Sequence, residues 1–297
     1  MEEKANAGAG TLSAEASTAF GGVAAGGLMC LLSMSSIQFG AALSSSAIAT
    51  YGPAGASWLR LAFAALILAI VVRPRISSYN RAQWTSALVL GTTTALMTIS
   101  FFAAIERIPL GLAVAIDFLG PLSVATIGYG FGRRLVWPLL AALGVLALAH
   151  DGEGWVGDIE GILFALGAGT GWAIYIVLTK KIGASFKGLE GLSMSLMVAA
   201  LVATPFGFAG ALPKLDGSGL IEMVGLAILV PLLPYTLELI ALRRMPTASF
   251  GILMSLEPAI AALAGFLILT QPMTLLQMAG TALVVAASAG ATFSAKQ

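Results

Sequence analysis

Charge is scarce in this sequence. The 297 residues include 15 basic and 14 acidic side chains, 10% charged in all, against about 25% in an ordinary soluble domain. So few charges cannot cover a water-facing surface of this size, which excludes a soluble fold. Cysteine is nearly missing: Cys30 stands alone, so neither a disulfide framework nor a cysteine metal site is available. There is one histidine, His150, and no HExxH or GxSxG pattern, which argues against an intramembrane hydrolase. No glycine-rich phosphate loop is present, so ATP hydrolysis is not expected, nor is a cofactor or metal. A net charge of +1 offers no surface for nucleic acid.

What fills the chain instead is apolar: 58% hydrophobic residues and a mean hydropathy of +0.95. Charge-free stretches run for 44 residues between Glu15 and Arg60 and for 38 between Glu257 and Lys296, with shorter ones of 24, 19 and 23 after Arg81, Glu160 and Glu190. A spanning helix needs about 20 apolar residues. Cutting the stretches at Gly, Pro and loop charges gives ten helices: 20–43, 54–72, 83–104, 109–131, 135–150, 159–179, 189–209, 218–241, 247–269 and 273–293. The apolar runs are continuous rather than alternating, which disfavours a β-barrel. With the N-terminus in the cytoplasm, 12 Lys and Arg fall in inner segments and two, Arg107 and Lys214, in outer loops. That bias sets orientation and would be scrambled by one helix more or fewer. Residues 1–19 are small and polar, without the basic start or cleavage site of a signal peptide. They suggest a disordered cytoplasmic tail.

The chain repeats. Arg107-Ile108-Pro109 followed by Gly120-Pro121 recurs as Arg244-Met245-Pro246 followed by Glu257-Pro258, offset by 137 residues. Ser35-Ser36 and Thr170-Gly171 recur at an offset of 135. Five helices per half is an odd number, so residues 20–150 and 151–297 would form two inverted-topology repeats. The expected fold is thus all-α, a polytopic membrane protein of two five-helix repeats. Such repeats are frequent in secondary transporters with a midplane site, although a channel can also carry them.

Ionisable groups at membrane depth are costly and mark function by default. Glu257 sits about 16 Å into its helix at 1.5 Å per residue, directly before Pro258. It reads as a site for a proton or an ammonium group, or as a hydrogen-bonded structural acid. Asp117 lies one turn before Pro121, and the two prolines read as hinges. Arg60 could receive a substrate carboxylate, snorkel to the interface or pair with Asp117. Gln38, Trp172, Tyr175 and Tyr235 could line a cavity or simply pack. Glu238 reads most simply as the ion-pair partner of Arg243, and Glu106 and Glu222 as hydrated. The His150-Asp151-Gly152-Glu153 run and Asp158 suit a flexible acidic connector better than a metal site. Gly128-x-x-x-Gly132 is a small-residue pattern that would suit a homodimer.

The segments SSIQFGAALS (35–44), IPLGLAVAIDFLGPL (108–122), GTGWAIY (169–175) and PYTLELIALRRMPTASFGILMSLEPAIAAL (234–263) resemble the threonine/homoserine exporter branch of the EamA-type transporters, in the drug/metabolite transporter superfamily. The resemblance runs over nearly the whole chain after residue 20. It implies a ten-helix carrier of the inner membrane with both termini cytoplasmic, exporting small zwitterionic amino acids against protons by alternating access. Helices 5 and 10 would pack peripherally. Glu257 matches the family's acid before a proline in helix 9, and Arg60 its helix 2 arginine. Thr270-Gln271-Pro272 departs from the Gly-Glu pair common in relatives. Rival readings are a carrier for a purine, an aromatic amino acid or a toxic amphiphile, and a passive channel-like facilitator.

Overall fold

A computed structural model of the chain describes residues 2–127, 136–151, 153–156, 158–182, 186, 189–245 and 247–294. Twelve α-helices are found among them. These are α1 Glu2–Val72, α2 Arg81–Arg107, α3 Leu110–Asp117, α4 Leu119–Ile127, α5 Val136–Leu148, α6 Ile159–Ile182, α7 Glu190–Ala211, α8 Gly217–Ala227, α9 Leu233–Arg244, α10 Thr247–Met254, α11 Glu257–Leu269 and α12 Leu275–Ser294. Among the described residues seven helical stretches are long and apolar enough to cross a bilayer, and Leu110–Val124 and Val136–Leu148 are shorter apolar helices. The Gly128–Gly132 pattern and Pro246 lie outside the described residues.

α1 is too long for one crossing and is broken within. Gly52 has φ 73° and ψ 164°, and Pro53 follows it. Gln38 and Leu61 nevertheless line the same cavity, whereas a straight helix would hold them about 35 Å apart. The chain therefore doubles back at Gly52-Pro53, where glycine takes a φ that L side chains avoid and proline supplies no N–H to continue the ladder. The expected spans 20–43 and 54–72 are its two arms, and the expected link 44–53 is helical up to the break at Gly52. Helix also extends back to Glu2, where composition suggests a disordered tail. Alanine, the best helix former, is frequent there.

Three expected helices are interrupted. The span 109–131 divides into α3 and α4 at Phe118, and 247–269 divides into α10 and α11 at Ser255-Leu256. Pro121 and Pro258 lie just after these breaks, in the first turns of α4 and α11, where a missing N–H costs nothing. The third interruption falls within 218–241. Ile228–Leu232 is a π-helical segment between α8 and α9, and Val230 is extended at φ −149°, ψ 117°. Pro231 and Pro234 remove two donors in succession there, a signal present in the sequence.

The outer faces are apolar, as lipid requires: Leu201, Ile221 and Leu275 are each more than 70% exposed. The interior is made close by small residues. A Cβ on Gly144 would lie 2.7 Å from the Gly280 carbonyl oxygen, and one on Gly280 would lie 2.6 Å from that of Gly144, so α5 and α12 meet backbone to backbone. This is the close approach that packs helices in membranes. The described residues of the connector after α5 make local contacts with one another. His150 and Trp155 form an antiparallel bridge and stack edge-on at 6.2 Å. Asp151 Oδ1 accepts from the Glu153 and Gly154 amides at 2.9 and 2.8 Å. Those bonds hold its carboxyl below the usual aspartate range. Asp151 and Asp158 are thus spent on backbone amides: Asp158 Oδ1 likewise accepts from Gly161 at the start of α6.

Candidate functional site

Glu257, Asp117, Arg60, Gln38, Tyr175, Trp172 and Tyr235 all line one cavity of about 220 Å³. Two of the helix breaks place the acids there. Glu257 is the first residue of α11 and Asp117 the last of α3. Val230 and Pro231 contribute the π-helical segment to the wall. Broken helices leave backbone groups without intrahelical partners, and one of them is answered locally: Ser36 Oγ donates to the Leu229 carbonyl at 2.7 Å. The close seat of α3 and α4 on α6 depends on two glycines. A Cβ at Gly120 would run into the Gly169 carbonyl oxygen, and one at Gly169 would lie 2.7 Å from the Asp117 carbonyl.

Glu257 is 3% exposed and accepts from Gln38 Nε2 at 2.9 Å through Oε1. Arg60, 7% exposed, lies with its guanidinium 4.2 Å from the centre of the Phe102 ring. That burial rules out a snorkelling arginine. Nor does it pair with Asp117: among the described residues the ion pairs are those of Arg107 with Glu106 and Glu160. A buried guanidinium held over an aromatic face without a carboxylate is the unusual feature here, since one charge is then left to be matched. Tyr235 hydrogen-bonds Tyr175, and Trp172 meets Phe118 edge-on at 5.7 Å.

Glu238 also lines the cavity, and Ser33 Oγ donates to its Oε1 at 2.7 Å. This contact ties Glu238 to α1. The signal was helical spacing: Glu238 lies three residues from Tyr235 and so shares its face. Gln271, the departure noted above, also has a job. Its Oε1 accepts from the Leu110 amide at 3.1 Å, capping the start of α3. A carboxylate is not needed there, only an acceptor. No group of three or more His, Cys, Asp or Glu among the described residues could hold a metal.

A multi-pass helical membrane protein whose polar groups converge on a cavity walled by broken helices has the plan of a transporter. The profile of the EamA-like transporter family matches residues 159–293. Two proteins described as threonine/homoserine exporter RhtA, from Escherichia coli strain K12 and Salmonella typhimurium strain LT2, are 37% and 36% identical over 272 residues, 91% of this chain and 92% of theirs. An uncharacterized transporter of Bacillus subtilis, YvbV, is 24% identical over 258 residues, 82% of this chain and 83% of its own. A solved crystal structure shares the fold with a TM-score of 0.61 at 16% identity, over 92% of this chain and 98% of that one. The chain belongs to the EamA-like transporter family, and within it to the threonine/homoserine exporter branch. This is a family of carriers, not enzymes.

Proposed function

We propose that this protein exports small zwitterionic amino acids of the threonine and homoserine kind across the inner membrane, by alternating access coupled to protons. The observation that carries the reading is the charge arrangement of the cavity. Arg60 has no carboxylate partner and would take the substrate carboxylate, while Glu257, with Asp117, would take its ammonium. A cavity of about 220 Å³ is below the roughly 300–1,000 Å³ of sites for drug-sized ligands, which favours a small cargo over a toxic amphiphile. The relatives described as threonine/homoserine exporters support the same choice.

In this mechanism Glu257 holds a proton or the substrate ammonium, never both. A carboxylate emptied of its cation in a dry cavity is costly, so release of substrate draws in a proton, and the exchange couples export to proton entry. Two inverted five-helix halves would rock about the site. The equal offset of 137 residues between α3 and α10 supports that repeat: Leu110–Asp117 answers Thr247–Met254. Ten crossings would follow if α1 crosses twice and the two shorter apolar helices cross as well. Both termini would then be cytoplasmic.

Proteoliposomes test the reading by exchange of labelled homoserine with and without a proton gradient. Glu257→Gln is expected to abolish proton-driven accumulation, and Arg60→Ala to raise the apparent KM about ten-fold or more, as loss of a charged hydrogen-bond partner does. Unchanged coupling in the first variant and unchanged KM in the second would remove both residues from the site.

A further inference from the structure

Four buried polar atoms on the cavity residues have no hydrogen-bond partner: Gln38 Oε1, Asp117 Oδ1, Glu257 Oε2 and Arg60 Nε. They divide unequally. Three are acceptors on Gln38, Asp117 and Glu257, and one is a donor on the arginine. The orientation of Gln38 is set by its Nε2 donating to Glu257 Oε1 at 2.9 Å, which commits the amide oxygen as a further acceptor beside the carboxylate. A buried acceptor left unpaired costs as much as a lost hydrogen bond, and three of them round one small cavity ask for donors from whatever occupies it.

We infer that Gln38, Asp117 and Glu257 form a three-acceptor seat that selects a primary ammonium group over a secondary one, with Gln38 as the residue that sets this specificity. A primary ammonium carries three N–H donors, one for each free acceptor. An N-methylated amino acid keeps the positive charge but brings two donors and leaves one acceptor unpaired. Charge attraction alone would not tell the two apart, whereas a hydrogen-bonding site rejects an analogue that leaves its polar groups unmatched. The inference rests on the proposed amino-acid export and adds the chemical class of nitrogen that the site accepts.

Wild-type protein in proteoliposomes, exchanging labelled homoserine, tests it with unlabelled competitors. N-methyl-homoserine is expected to compete about ten-fold or more less strongly than homoserine. O-methyl-homoserine, which carries the same extra methyl away from the nitrogen, is expected to stay within about three-fold of homoserine. Equal competition by homoserine and its N-methyl analogue overturns the seat while leaving amino-acid export intact. Equal loss for the N-methyl and O-methyl compounds assigns the effect to bulk and overturns it too. If no amino acid competes or exchanges, the proposed cargo is wrong and the seat falls with it. In Gln38→Met the ratio between homoserine and its N-methyl analogue is expected to shrink towards one. A full ratio in that variant overturns the role given to Gln38, and the wild-type comparison stands if the variant fails to fold.

Discussion

Outside the cavity, Asp151, Asp158 and Asp216 accept from backbone amides rather than wait for a ligand. Asp216 precedes α8, and its Oδ1 accepts from the Gly219 amide at 2.7 Å while Ser218 donates from its hydroxyl. Those bonds favour the ionised form and hold its carboxyl below the ordinary value of 3.8. Because the folded value is the lower one, the stabilising contribution is present above the ordinary value. It is lost as pH falls through the depressed one. Thermal unfolding in detergent from about pH 6 to about pH 3 is expected to show a step for the wild type that is smaller in Asp216→Asn, which keeps the cap but cannot titrate there. Identical pH profiles would mean that this cap contributes nothing. The contrast with Glu257 was legible beforehand: a carboxylate amid apolar residues before a proline reads differently from one in Leu-Asp-Gly-Ser-Gly. Glu238 was less legible, because a nearby arginine in sequence offered a simpler partner than Ser33, some 205 residues away.

Among the elements, the breaks mattered more than the helices. Long apolar runs and the prolines at 121 and 258 were readable because each proline removes a donor wherever it lies. The interruption at Val230 is marked in the sequence by Pro231 and Pro234 alone. A run that is apolar throughout gives no periodic signal to show where its backbone departs from helix. The tight seat of α4 on α6 was hidden for a different reason. Among 35 glycines, nothing in the sequence marks Gly120 and Gly169 as partners. Gly120→Ala is expected to destabilise the protein by about 1–3 kcal/mol, the usual cost of overpacking, because its Cβ meets the Gly169 carbonyl oxygen rather than a side chain that could swing away. A melting temperature in detergent equal to that of the wild type would show that the α3–α4 break moves freely.

For the whole molecule, the expected orientation rests on 12 basic residues against two. It has a direct test in a Cys30→Ser background. Ser78, between α1 and α2, and Glu153, after α5, are both exposed and belong to opposite sides in the proposed topology. A cysteine at Glu153 is expected to react with an impermeant maleimide in intact cells, and one at Ser78 only after the membrane is opened. The reverse pattern would invert the protein, and reaction from the same side would refute the ten crossings. Composition and charge spacing carried the reading this far because lipid imposes them on every span. Which side chains meet across the bundle is a matter of three-dimensional fit, and hydropathy is silent on it.

The bond from the Leu110 amide to Gln271 Oε1 has a mechanical consequence. It ties the start of α3 to the turn between α11 and α12, and Gln277 adds a second tie by donating from Nε2 to the Leu148 carbonyl at 3.3 Å. With Gly144 and Gly280 in backbone contact, this edge of the molecule is stitched across residues more than a hundred positions apart. Leu110 is fully buried, so parting it from Gln271 would strand an amide without a partner. In the proposed transport cycle, the motion that opens the cavity at least cost would leave this seam closed and swing the rest about it. In the proposed alternating access the seam would then act as the spine of a book, and the broken helices as the places where the pages bend.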